Sequence, residues 1–262
     1  MKAHALSARI GERLLGWVAL VVALAGWQVA AEVRHSHSVA TFTSALHALG
    51  KILSSAQLGA DVLPSLYRVL VGFAIAAALG VVIGLFVGTF RALDPWVRPV
   101  IEFMRAVPPP LIIPVAMLII GISGKLIISV IVFGAFWPVL LNTTDGARQV
   151  EPVYIETARV FHVARHVMVR SIVLPASLPM IMAGLRIALS TAIIMMVLAE
   201  MLASSTGIGY LVLTSQQTFD VPATYGGVLL LGVLGWFFDA AFLAVEQRVL
   251  AWNSDFAGGT RV

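Results

Sequence analysis

Uncharged apolar runs about as long as a bilayer is thick recur along this 262-residue chain, and they exclude most folds. The stretch "VGFAIAAALGVVIGLFVG" (71–88) holds no acid or base, and "LSTAIIMMVLA" (189–199) repeats the pattern. In hydrocarbon no water satisfies peptide N–H and C=O groups, so only helices and closed barrels can cross. A barrel would need many short strands of alternating polarity, whereas these runs are continuous. Composition agrees, with 60% hydrophobic and 11% charged residues and a mean hydropathy of +0.97, outside the usual range of soluble domains. The fold class expected is therefore all-α integral membrane, one domain with about six transmembrane helices at roughly 20 residues each. Spans are expected near 14–31, 65–89, 107–122, 126–141, 180–203 and 223–246. With no cysteine there is neither a disulfide framework nor a cysteine-ligated metal site.

Six spans put both termini on one side. Of the 17 Lys and Arg residues, only Arg34, Lys51, Arg68 and Lys125 fall on the other side, so the positive-inside rule places the termini in the cytoplasm. Because the basic residues sort by membrane side, the pI of about 9.9 does not point to nucleic acid. Val29 and Ala31 would suit a signal cleavage site, but the first apolar run is longer than a signal peptide requires, and an uncleaved anchor is expected.

Three stretches shape the membrane part. Leu46, Leu49, Ile52 and Leu53 recur at helical spacing in the outside segment 32–63, which predicts a helix along the outer membrane surface. Gly80, Gly84 and Gly88 form a small-residue stripe that lets another helix approach closely, for packing or for gating. In "RAVPPPLIIP", Pro108, Pro109, Pro110 and Pro114 predict an irregular, protein-buried entry into the membrane, and Trp137-Pro138 predicts a kink.

The longest polar interruption in the second half is "EPVYIETARVFHVARHVMVRSIVLPASLP" (151–179). Pro152 suits the first turn of a helix. Glu156, Arg159, His162, His166 and Arg170 then make one polar stripe, while Val153, Thr157, Val160, Ala164 and Met168 make another face, with Ala158 and Phe161 beside the polar stripe. Pro175 and Pro179 are expected to stop this helix and turn the chain into the fifth span. From periodicity alone the helix either docks a soluble partner or rests on lipid head groups.

Residue identities distinguish these readings. The stretch "ETARVFHVARHVMVRSIVLPASLP" resembles the cytoplasmic-loop signature of bacterial binding-protein-dependent ABC importer permeases, with Glu156, Ala158, Ile172, Leu174 and Pro175 matching. Thr157 stands where an alanine is usual, and His162 where a glycine is usual. "SLYRVLVGF", "RAVPPPLIIPVAMLIIGISGK", "AGLRIAL" and "AEMLASSTGIGYLVLTSQQTFD" extend the likeness toward the nitrate, sulfonate and taurine branch. The resemblance implies a type I ABC importer permease architecture of the MetI-like kind, with a cytoplasmic coupling helix over about 152–170. Residues 1–63 would hold the N-terminal tail, the first span and the outside connector, 64–250 the permease core, and 251–262 a cytoplasmic tail. It also implies two cytoplasmic ATPase subunits, which carry the ATP and Mg, a second permease copy forming a homodimer, and an extracytoplasmic binding protein. No cofactor is expected on this chain itself, and its location would be the bacterial inner membrane. Glu156, Thr157, Ala158, Arg159, Phe161 and His162 would couple to the ATPase, with Ala158 and Phe161 filling its groove and Leu174-Pro175 fixing the helix. The cargo implied is a small anion such as nitrate, an alkanesulfonate or taurine, with neutral or heterocyclic nutrients as the alternative.

Glu200, near the outer part of the fifth span, is costly in lipid and is read either as a pathway or gate residue or as a structural hydrogen bond with a neighbouring helix; Arg68, itself a pathway or gate candidate, is a candidate charge partner, though the sequence does not show that the two meet. Met201 and Gln216 are further pathway candidates. "SSTGIGYLVLTSQQTF" predicts an irregular turn and a short helix. A membrane enzyme would place catalytic pairs within spans, yet all six histidines fall outside them. "GISGK" lacks the first glycine and final hydroxyl of a phosphate loop. A channel or sensor would have no use for the loop helix.

Overall fold

The computed structural model describes residues 16, 18, 19, 21–33 and 39–252, without the side chains of Arg91 and Asp94. Lys2, Arg9, Arg13, Arg34 and Arg261, the start of the expected first span and nearly all of the 251–262 tail lie outside the described residues. Every regular element described is helical. Among the described residues four helices are long and apolar enough to cross a membrane, or five if a bent pair counts as one span.

The chain divides into two compact units, one comprising residues up to Leu58 with Leu211–Leu231, the other Gly59–Tyr210 with Gly232 onward. In the first unit, contact overrides sequence order. A short apolar helix α1 (Val21–Val33) is followed by α2 (Phe42–Ser54), capped by the Thr41 side chain. Trp27 on α1 donates to the Ala40 carbonyl at 3.0 Å and its ring meets Phe42 and Tyr225. Gly226 sits against Ala48 and Leu49, where a Cβ would come within 2.9 Å of the Ala48 side chain. Of the apolar residues expected on one face of α2, Ile52 is buried while Leu46 and Leu53 remain exposed.

The second unit is built on three long helices: α3 (Leu63–Thr89), α6 (Gly124–Arg148) and α9 (Leu174–Ala203). Helix α6 packs along both of the others. The glycine stripe of α3 provides one seam, and it extends further than expected, to Gly72 and the buried Ala76. A Cβ on Gly84 would fall 2.9 Å from the Leu140 carbonyl, and one on Gly88 2.8 Å from that of Thr144. Backbones this close leave no room for a methyl group. Thr144 uses the proximity, donating to Leu140 O at 2.7 Å and reaching Gly84 O at 3.3 Å. On the opposite side, Gly134 receives Met195 and Gly184 receives Asn142.

At the prolines the structure departs from the expectation in part. The proline run interrupts the helix as expected, with α4 (Asp94–Ala106) and α5 (Ile112–Ile120) flanking it, bent by 82°, but the segment is not buried, since Pro108 is exposed and Pro109 and Pro110 are half-buried. Pro109 and Pro110 open a new helical turn, where a missing N–H costs nothing. Leu118 and Ile119 of α5 are exposed rather than buried. Helix α6 carries Pro138 within it and runs to Arg148, past the expected end at 141. Pro175 and Pro179 do not stop a helix either, because both lie inside a continuous helical run from Arg165 to Ala203. The run begins with α8 (Arg165–Met168) and a π-helical turn at Val169–Val173, and Pro175 occupies the first turn of α9.

Candidate functional site

Helix α7 (Pro152–Val160) is the helical part of the quoted loop. Its expected extent to 170 is cut short at Phe161, and the cause is local. His162 adopts φ +52°, the left-handed conformation that glycine favours. His162 N donates to Arg159 O at 3.0 Å and Val163 N to Ala158 O at 2.9 Å, the paired bonds of a Schellman motif that ends a helix at a left-handed residue. The turn that a glycine would form without strain is thus formed here by a histidine. The stripe expected to continue through His166 and Arg170 is broken there, and those residues belong to the next helical run.

The inner side of α7 is seated on the unit. Ala158 is 3% exposed. Ile155 packs against a cluster of Ala147, Val150 and Val173, which ties α7 to the ends of α6 and α9. Ala158 therefore does not offer a side chain to a partner's groove as expected; a residue on that face of the helix closes against its own chain. Leu174 and Pro175 are half-buried in the first turn of α9. Glu156 and Arg159 line a cavity of about 410 Å³ beside Gly88, Phe90 and Ile155.

The outer side of α7 is apolar. Val153, Tyr154, Val160 and Phe161 are 64%, 56%, 74% and 76% exposed, with exposed Thr157 among them. Positions 153, 154, 157, 160 and 161 share one helical face. The helix thus shows apolar side chains outward and an anchored small residue inward, and none of the described residues covers its outer face.

At the other end of α9 the polar groups are fully enclosed. Glu200 is 0% exposed. Ser65 Oγ lies 2.8 Å from each carboxylate oxygen, Arg68 Nη1 donates at 2.7 Å and Gly209 N at 3.1 Å. The structure thus brings Arg68 and Glu200 together as a buried ion pair. Arg68 also donates to the Thr206 carbonyl and hydroxyl, both at 2.9 Å. Gly207 N donates to Asp61 Oδ1 and Ile208 N to Ser65 Oγ, both at 2.9 Å. Residues 204–207 form the expected turn, and α10 (Ile208–Gln217) follows. Gly207 has φ +121°, and a Cβ there would collide with the Glu200 carboxylate. Neither Glu200 nor Ser65 has surface for a solute in this conformation. Met201 is half-buried next to the clamp, and Gln216 is exposed near the end of α10, in the first unit. The roles of Asp61, Ser65 and Thr206 were not read from the sequence. Ser65 and Arg68, three residues apart in an apolar helix, were the available signal.

Comparison with known proteins gives a consistent result. The family described as binding-protein-dependent transport system inner membrane component matches residues 76–251. A Bacillus subtilis (strain 168) protein named for aliphatic sulfonates transport, as a permease, is 29% identical over 98% of this chain and 95% of its own length. The bicarbonate transport system permease protein of Synechococcus elongatus is 35% identical over 72% of this chain and 68% of that protein. The nitrate import permease protein of a Synechocystis strain is 30% identical over 74% and 70%. Among solved structures, the inward-facing MetNI methionine ABC transporter aligns with a TM-score of 0.67 at 18% identity, covering 76% of this chain and 98% of the other.

Proposed function

Since this chain belongs to the binding-protein-dependent transport system inner membrane components and is an ABC importer permease, we propose that it carries a small oxyanion inward and that α7 is where a cytoplasmic ATPase docks. The observation that carries the docking reading is the exposed apolar face of a helix anchored from behind. An isolated apolar stripe on a cytoplasmic helix costs solvation free energy of roughly 25 cal/mol per Å², which a partner's groove would recover. Phe161 and Val160 then supply the apolar contact, and Thr157 lies between them. Glu156 and Arg159, next to the cavity, supply polar contacts at its edge. His162 fixes where the docking helix ends. Because Ala158 and Ile155 seat α7 on the ends of α6 and α9, a displacement of α7 reaches both long helices.

ATP and Mg belong to the docked partner in this reading, and the chain itself supplies no catalytic group. Two ATPase subunits, a second copy of this chain and an extracytoplasmic binding protein complete the assembly, with both termini cytoplasmic. The cargo class rests on the relatives named for sulfonates, nitrate and bicarbonate, which share trigonal or tetrahedral oxyanion chemistry. The Glu200–Arg68 clamp holds the 204–209 turn to α3 at the outer end and so keeps that end closed. The test is affinity purification of the tagged chain from native membranes in mild detergent, comparing wild type with Phe161→Asp. An ATPase that accompanies the wild type and is lost from the folded variant supports docking at α7; equal recovery from both overturns it.

A further inference from the structure

Helix α4 belongs to neither site described above, and its two faces have opposite chemistry. Trp96, Val100 and Phe103, at i, i+4 and i+7, are 80%, 56% and 66% exposed. Arg98, Glu102 and Arg105 recur with the same spacing on the opposite side. With 13 residues the helix is about 20 Å long, short of the roughly 30 Å of a hydrocarbon core. Alone it cannot cross, and its charged side chains keep that face out of the interior.

Two observations lay it along the membrane surface. Helix α5 holds no charged residue and leaves Leu118 and Ile119 exposed, so it enters the hydrocarbon, and the 82° bend then turns α4 nearly parallel to the bilayer. The second is a cavity of about 520 Å³ between α4 and the end of α6, lined by Arg98, Ile101, Glu102 and Arg105 from one and by Asp145 and Arg148 from the other. Helix α6, with 25 residues, is about 37 Å long and exceeds the hydrocarbon core, so its charged last turn reaches the head groups. An amphipathic helix with an aromatic and aliphatic face and an arginine-bearing face fits that depth, where tryptophan is favoured.

The charges of the cavity select the lipid. Arg98 Nε donates to Glu102 Oε1 at 2.9 Å, whereas Arg105 makes no hydrogen bond or ion pair among the described residues. Three guanidinium groups line the cavity against two carboxylates, an excess of one positive charge that a single phosphodiester neutralises. Basic pockets between helices at a membrane surface take anionic head groups in this way, and the guanidinium fork matches paired phosphate oxygens.

We propose that the cavity between α4 and α6 seats the phosphodiester of an anionic phospholipid, with Arg105 as a principal donor, and that Trp96, Val100 and Phe103 lie among its acyl chains. Arg148 lines both this cavity and the one beside Glu156 and Arg159, which places the lipid next to the seat of α7.

The full-length chain, purified in mild detergent, is titrated with phosphatidylglycerol and the bound lipid is counted by native mass spectrometry. Affinity should fall about fivefold in Arg105→Gln, as expected for one basic group at a membrane surface, and should hold in Arg105→Lys, which also controls for folding. Inorganic phosphate should not displace the lipid. The chain contains no cysteine, so Phe103→Cys accepts a single bimane label, which reads the acyl side independently of Arg105. In vesicles of phosphatidylcholine with phosphatidylglycerol, that label should be quenched by lipid brominated in its acyl chains and not by aqueous iodide. An affinity unchanged by Arg105→Gln, displacement by inorganic phosphate, or quenching by iodide alone each overturns the proposal. So does a disulfide between two Phe103→Cys copies, which would make this face an interface.

Discussion

Helix α9 and the helical run leading into it end in two opposite constructions. At its C-terminal end Glu200, Ser65 and Arg68 place polar groups where no solvent reaches, each satisfied by a neighbour. At the opposite end α7 places Val160 and Phe161 where none of the described residues covers them. The first arrangement is complete within one chain and contributes stability; the second is incomplete and contributes a surface. Where the chain satisfies its own groups, a substitution should cost folding free energy, and where it leaves them open, it should cost association.

Four substitutions test that contrast. Glu200→Ala should have the largest effect, because it strands a buried guanidinium; breaking one half of such a pair costs about 3–5 kcal/mol, read as a lower thermal midpoint in detergent. If stability is unchanged, the clamp does not hold the 204–209 turn. Next, Gly84→Ala should destabilise by about 1–3 kcal/mol, since the new methyl meets the Leu140 carbonyl and the Thr143 side chain; Gly16→Ala or Gly26→Ala, with nothing within 4 Å, are the neutral controls. His162→Gly should stabilise by about 1–2 kcal/mol by relieving a left-handed side-chain residue, and a destabilised variant would mean that the imidazole makes a contact worth more than the strain. Smallest on stability is Phe161→Asp, expected within about 0.5 kcal/mol of wild type as an exposed site, while ATPase recovery falls; a large drop in the thermal midpoint would place Phe161 in the fold rather than on a docking face.

Much of the fold was legible because lipid allows few solutions. Long apolar runs predict spans, and α3, α6 and α9 lie where those runs are. The glycine period predicted a close seam, and the seam is present along α3 and α6. The Glu200–Arg68 pairing was also legible, since two opposite charges in apolar helices have strong reason to meet. The prolines misled because a missing N–H matters only where a donor is needed. Pro175 and Pro109 occupy first turns. Ala158 misled because helical periodicity separates two faces without assigning either one to the chain or to a partner.

By itself the sequence determined that this chain is a helical membrane protein, where its apolar runs fall, and which loop carries the family likeness. Those properties follow from local composition and spacing, which solvation acts on directly. Only the tertiary structure decided that Ala158 faces inward and Phe161 outward, and that Ser65 and Gly209 complete the Glu200 clamp. These depend on how helices distant in sequence rotate and seat against each other, and that rotation is set by packing across the whole seam rather than by any one segment.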